Sequence, residues 1–160
     1  MLKKIYYKLP SNFQNYLNKA AAKISNNSIE EFVFSDIGKN YNLNEKDKLK
    51  IIKRLNNVFT KIESATSLDV QLELGKKILS LDKNEKNYLV ECGCYIGSSS
   101  VALSIFAKIT DRKLIIYDSF EGLPEDVDNI GKRNYPHLKL TGLYKKGMYR
   151  ASKEDVINNL

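Results

Sequence analysis

The sequence predicts an α/β fold in which a parallel sheet follows a helical N-terminal segment, and three observations lead to this prediction. Residues 88–90 form a short apolar run that ends at a glycine-bearing turn, as buried strands do. Apolar residues then recur at helical spacing from 98 to 109. A second apolar run, 113–117, ends at Asp118. This order of strand, turn, helix, strand and carboxylate predicts half of a nucleotide-binding βαβ unit.

Three helices are predicted before that unit. The first begins at Ser11 as its N-cap and runs to residue 24, and residues 26–28 are expected to end it. The second covers residues 45–64, where apolar side chains form one stripe. The third begins after Ser67 and continues to about residue 81. The segment around Phe32 fits either a short strand or a buried turn.

The chain of 160 residues divides into a helical segment, residues 1–86, and the βαβ part, residues 87–160. The net charge is +7, and the first segment carries +6 of it. Its lysines are scattered at helical spacing, as on a solvated face, and no nucleic-acid-reading motif accompanies them. We therefore expect no nucleic-acid or membrane partner. The sequence contains neither a transmembrane-length apolar run nor a recognisable signal peptide, which predicts a cytoplasmic protein.

Two cysteines and one histidine bear on redox and metal chemistry. Cys92 and Cys94 lie two residues apart at a strand end, so their side chains should point to opposite faces and form no mutual disulfide. With His137 they supply too few ligands for a closed zinc site. His137 is an isolated histidine in the long loop 119–151, and we assign it no catalytic role. That loop is a candidate lid or substrate surface.

The spacing of the glycines helps to choose the nucleotide. A dinucleotide fingerprint requires G-x-G-x-x-G, but here Tyr95 stands at the middle position between Gly93 and Gly97. Glu91 precedes the first glycine by two residues, and E-x-G-x-x-x-G resembles motif I of class I S-adenosylmethionine-dependent methyltransferases. The longer strings VECGCYIGSSS and YDSFEGLP resemble the macrocin O-methyltransferase (TylF-like) family, as does G-x-x-x-x-S-x-E-x-V from Gly147. The resemblance is strong over 88–124, moderate after Gly147 and faint before residue 88.

The resemblance implies a Rossmann-like sheet and methyl transfer from S-adenosylmethionine to a hydroxyl on a sugar or natural-product glycoside. It also implies Mg²⁺ held by residues absent from this chain, and no metal ligand or catalytic residue is assigned here. The residues it assigns to the cofactor are Glu91, Gly93, Tyr95, Gly97, Ser98, Ser99, Asp118 and Ser119.

Several of these assignments have two interpretations. Asp118 either accepts hydrogen bonds from the two ribose hydroxyls or caps a turn. Glu91 either orients the cofactor's ammonium group or satisfies backbone donors at the strand end. Ser98 and Ser99 either hold the methionyl carboxylate or cap the helix.

Only two convincing strands are predicted, so the sequence is interpreted as the first part of a larger sheet. Such a sheet would leave an exposed edge beside 113–117, where a homo-oligomer or another chain could complete it. We expect the chain alone to be inactive. The alternative functions are a non-catalytic partial module and an NAD-type nucleotide binder.

Overall fold

Five α-helices and one pair of parallel strands form the part of the chain that the structure describes. The computed structural model describes residues 26–85, 87–124 and 145–160. In chain order the elements are α1 (Asn26–Phe34), a 3₁₀ helix (Lys39–Tyr41), α2 (Glu45–Lys61), α3 (Leu68–Leu79), β1 (Leu89–Cys92), α4 (Ser98–Thr110), β2 (Leu114–Tyr117) and α5 (Lys153–Asn159). The predicted α/β class is confirmed at this level. The described ranges contain no helix long and apolar enough to cross a membrane.

The strands and their connecting helix lie close to the predicted positions. β1 and β2 pair in parallel, with Leu89 opposite Leu114 and Cys92 opposite Tyr117. α4 connects them, so the strands' carboxyl ends meet at one edge. The strand side chains alternate between the two faces of the pair. One face packs towards the core, and the other leaves Val90 57% exposed.

Side-chain caps define the starts of three helices. The Asn44 side chain accepts a bond from the Asp47 N–H at 3.0 Å at the start of α2. The Ser67 hydroxyl accepts from the backbone of α3, which confirms the predicted N-cap. Ser152 and Asp155 form a reciprocal capping box at the start of α5. These local side-chain bonds fix where each helix begins.

The N-terminal predictions were partly wrong. Phe32 lies inside α1 and is fully buried, so neither a strand nor a turn forms there. Ile29, Phe32 and Val33 recur at helical spacing and enter the core together, which explains the helix. Residues 26–28, expected to end a helix, are themselves helical. The helix predicted from Ser11 lies outside the described residues.

One apolar core joins the N-terminal helices to α4. Phe106 of α4 is fully buried, and its ring lies against Gly75 of α3. The core contains side chains from both sides of residue 86, the predicted division of the chain. Its fully or almost fully buried members include Phe32, Ile52, Leu55, Leu72, Leu79, Ala102 and Phe106.

Arg112, which is 7% exposed, ties the connector before β1 to the end of α4. One terminal nitrogen donates to the carbonyls of Asp82 at 2.6 Å and Glu85 at 2.9 Å. The other donates to the Tyr41 hydroxyl at 2.8 Å. A planar guanidinium suits this task because its donors point in fixed, diverging directions.

The two described ends of the loop predicted at 119–151 bind each other. The Leu123 N–H donates to the Met148 carbonyl at 2.8 Å, and the Gly147 N–H donates to the Leu123 carbonyl at 2.8 Å. A side chain at Gly122 would stand 2.7 Å from the Met148 oxygen, so only glycine allows this approach. We call this pairing of residues 122–123 with 147–148 the neck. Residues 125–144, including His137, lie outside the described part.

Candidate functional site

A pocket of about 530 Å³ lies at the edge where the carboxyl ends of β1 and β2 meet. Open parallel sheets bind ligands at this edge, because the turns that follow the strands converge there. Its walls come from the turns after both strands, the neck and the loop after α2. The lining residues are Ala65, Gly93, Tyr95, Tyr117, Asp118, Ser119, Gly122, Leu123 and Tyr149.

The Asp118 carboxylate binds the backbone of two turns. One oxygen accepts from the Cys94 N–H at 2.6 Å and from the Tyr95 N–H at 3.3 Å. The other oxygen accepts from the Phe120 N–H at 2.7 Å. Burial alone would raise the pKa of Asp118, but these N–H donors outweigh burial and hold its pKa below the ordinary value. Asp118 is therefore a charged acceptor that fixes the turn and also lines the pocket.

The glycine turn after β1 presents its backbone to the pocket at one end only. Gly93 has a φ of +87°, and nothing lies within 4 Å of the place where its side chain would stand. At the other end, Gly97 faces α5, where a side chain would meet Val156 at 3.3 Å. Asn159 of α5 also donates to the Ile96 carbonyl at 2.9 Å. The turn is thus open at Gly93 and covered by α5 at Gly97.

Glu91 lies beneath the turn, with 9% of its surface exposed. One carboxylate oxygen accepts from the Ser99 hydroxyl at 2.5 Å, and the other accepts from the Ser100 hydroxyl at 2.5 Å. These partners differ from the backbone donors that sequence reasoning considered. Paired in this way, Glu91 anchors the first turn of α4 to the end of β1.

The structure brings together half of the residues that were predicted to bind a cofactor. Gly93, Tyr95, Asp118 and Ser119 line one pocket. The remaining four lie outside its lining and are Glu91, Gly97, Ser98 and Ser99. Ser98 is itself 3% exposed.

Sequence reasoning missed two contributors. Tyr149 lines the pocket because the neck returns the chain to it, and Ser100 binds Glu91. The only sequence signal for Tyr149 is an aromatic residue two positions after Gly147. Ser100 shares its residue type with two neighbours, so the sequence does not single it out.

Two tyrosine rings form one side of the pocket. The ring centroids of Tyr95 and Tyr149 lie 5.4 Å apart at an interplanar angle of 73°, an edge-to-face contact. Burial, the carboxylate of Glu63 and the nearby Tyr149 all raise the pKa of Tyr95 above its ordinary value. The Tyr95 hydroxyl therefore stays protonated at neutral pH.

Neither cysteine lines the pocket. Cys94 is 2% exposed, and burial together with the Asp118 carboxylate raises the pKa of its thiol to about 11. Cys92 is exposed and also free, so one thiol is buried and the other reaches solvent.

Within the described ranges, no group of three or more His, Cys, Asp or Glu side chains is placed to hold a metal ion.

No family model, curated protein or solved structure matches this chain. The functional interpretation therefore rests on the chemistry of the pocket. Its wall combines a carboxylate, a serine hydroxyl, an open stretch of backbone and several aromatic rings. Such a wall suits a ligand that has both hydroxyl groups and a flat ring, and a nucleoside has both.

Proposed function

We propose that this chain binds S-adenosylmethionine and serves methyl transfer to a hydroxyl acceptor. The observation that carries the proposal is the Asp118 carboxylate in the wall of a pocket at the carboxyl ends of two parallel strands. The resemblance of the strings around Glu91 and Asp118 to TylF-like methyltransferases selects this cofactor among nucleosides. A Rossmann-like sheet is part of the same proposal.

Asp118 and Ser119 are proposed to hold the ribose. A ribose presents two adjacent hydroxyls, and a carboxylate can accept about four hydrogen bonds. Of the three backbone bonds to Asp118, the one from the Tyr95 N–H is the longest, at 3.3 Å. A ligand hydroxyl can replace that bond with the smallest loss. Gly93, with open space beside its backbone, leaves room for the chain attached to the ribose.

The volume of the pocket fits this ligand class. Pockets for small molecules usually measure about 300–1,000 Å³, and this one measures about 530 Å³. The cofactor, when bound, supplies an electrophilic methyl group on a sulfonium. The residues of this chain would bind and orient it, and orientation is a large part of catalysis in group transfer. The acceptor, proposed as a sugar or natural-product hydroxyl, rests on the resemblance alone.

The cofactor assignment is tested by calorimetry on the purified chain with S-adenosylhomocysteine and, separately, NAD. We expect heat from S-adenosylhomocysteine and none from NAD. Binding of NAD alone would favour the dinucleotide alternative and contradict the proposal. Absence of binding to both would leave a non-catalytic module as the better interpretation.

The ribose role of Asp118 is tested by Asp118→Asn and Asp118→Ala. We expect affinity for S-adenosylhomocysteine to fall at least about tenfold, because hydrogen bonds to a charged acceptor contribute about 1.5–3 kcal/mol each. Glu121→Gln is the matched control, since Glu121 is an exposed carboxylate three residues away and outside the pocket lining. Circular dichroism must show that each variant is folded. Unchanged affinity in folded Asp118→Asn would overturn the ribose assignment.

A further inference from the structure

We propose that Tyr95 and Tyr149 form an aromatic wall against which the flat base of the nucleoside stacks. This inference rests on the proposed function, because it names the group in the pocket that binds the base. It adds a specificity-determining residue, Tyr149, which none of the motifs identified. The two rings lie in edge-to-face contact with centroids 5.4 Å apart, and both line the pocket beside Asp118.

The geometry of the pair leaves a surface for stacking. In an edge-to-face contact one ring directs its edge at the other, so the faces of the first ring are not covered by its partner. Tyr149 keeps 40% of its surface exposed even in this contact. Bases stack on aromatic side chains through their π-faces, so an uncovered ring beside a ribose-binding carboxylate is suited to a base.

The backbone at both tyrosines is held in an unfavourable conformation. Tyr95 has a φ of +52° and Tyr149 a φ of +60°, in the left-handed region that bulky residues avoid. Glycine or asparagine would occupy such positions more easily. Residues held in this region cluster at ligand-binding sites, where the surrounding structure fixes them. Two strained tyrosines in contact in one pocket wall therefore indicate that the rings have a role there.

Each ring is fixed from a different direction. The turn that carries Tyr95 is bound to Asp118 through the Cys94 N–H at 2.6 Å, and the Tyr95 hydroxyl interacts with Glu63 in the loop after α2. Tyr149 follows the neck, where Gly147 and Leu123 are hydrogen bonded at 2.8 Å. The wall is thus assembled from three separate segments before any ligand arrives. Such preorganisation reduces the ordering that binding would otherwise require.

The wall is tested by comparing two ligands that differ in the base. S-adenosylhomocysteine carries adenine, whereas S-ribosylhomocysteine keeps the ribose and amino acid but lacks the base. Tyr149→Leu should weaken the first about five- to one-hundred-fold and leave the second unchanged, as expected for a lost base–aromatic contact. Tyr149→Phe should retain the affinity for both. Tyr88→Leu is the matched control, because Tyr88 is 60% exposed and lies outside the pocket lining.

Each outcome decides the proposal. Equal losses for both ligands would show that Tyr149 supports the neck and does not contact the base, and unchanged affinity for S-adenosylhomocysteine would also overturn the wall. If the wild-type chain binds NAD but not S-adenosylhomocysteine, and Tyr149→Leu weakens that binding, the wall stands and the proposed function fails. If it binds neither base-bearing ligand, both proposals are wrong.

Discussion

The backbone N–H of Cys94 donates a 2.6 Å hydrogen bond to the side chain of Asp118, so the residue that follows β2 fixes the turn that follows β1. This bond joins the two strand ends in addition to the backbone hydrogen bonds that pair β1 with β2. Any change at Asp118 will therefore alter the shape of the turn as well as the chemistry of the pocket. For that reason its effects on stability and on binding must be measured separately.

The stability contributed by Asp118 should be lost in acid. Its pKa is lower in the folded chain than in the unfolded one, so the unfolded chain binds the proton first as pH falls. The contribution is present above the unfolded value of about 3.9 and disappears as pH falls through the folded value. Urea unfolding at several values between about pH 6 and pH 2.5 should show a shallower acid loss for Asp118→Asn. Asp47 and Asp155 also have lowered pKa values, and they contribute the same acid-dependent loss of stability to both proteins. Identical acid losses in both would contradict this prediction.

Ser100→Ala should destabilise the chain through Glu91. It removes one of the two hydroxyl donors and leaves a buried carboxylate oxygen unpaired, at an expected loss of about 1–3 kcal/mol in the free energy of unfolding. Ser104→Ala is the control in the same helix, since the Ser104 hydroxyl donates only to the Val101 carbonyl of its own helix. Urea unfolding of both variants is the measurement. Similar effects from the two would show that the Glu91 pairing is unimportant.

Gly75→Ala should destabilise the contact between α3 and α4. Alanine favours a helix by about 1 kcal/mol over glycine, but its methyl group would overlap the buried ring of Phe106. Overpacking of this kind costs about 1–3 kcal/mol, so the net effect should be a loss. Combining it with Phe106→Leu should give less destabilisation than the two losses summed, because the smaller side chain relieves the overlap. Strict additivity in thermal unfolding would be evidence against the contact.

Arg112→Lys should lower the free energy of unfolding by at least about 2 kcal/mol. A single ammonium group cannot reach the carbonyls of Asp82 and Glu85 and the Tyr41 hydroxyl together, as the guanidinium does. Lys113→Arg is the matched control at the next position, where the side chain is exposed. Denaturant unfolding should show a lower free energy of unfolding for Arg112→Lys than for Lys113→Arg. A loss within about 0.5 kcal/mol for Arg112→Lys would mean that water replaces its bonds.

Local signals account for the predictions that succeeded. The βαβ unit was placed within two residues because its apolar runs and glycine turn are contiguous in sequence. Ser67 was identified as a cap because a cap bonds to its own helix three residues later. Phe32 was misread because three consecutive apolar residues, 32–34, show no period of their own. Only packing against the core decides their structure.

The unpredicted parts of the site depend on contacts between distant segments. Tyr149 contacts Tyr95 because the neck brings the two segments together. No pattern in the sequence predicts that residues 122–123 bind residues 147–148. The choice of Ser99 and Ser100 as partners of Glu91 likewise depends on how the turn aims the first turn of α4. The motifs identify the candidate residues near Asp118. Only the folded structure distinguishes the candidates that line the pocket from those, such as Glu91, that lie beneath the turn.

The neck has an evolutionary consequence. A backbone hydrogen bond of 2.8 Å holds Leu123 and Met148 together, so the described residues on the two sides of 125–144 are fixed to each other. The entropic cost of closing a flexible loop rises by only about 0.6 kcal/mol for each doubling of its length. Insertions and deletions between the two residues would therefore leave Tyr149 where it stands. Selection could lengthen, shorten or rewrite the sequence between these two residues while the residues that line the pocket keep their places.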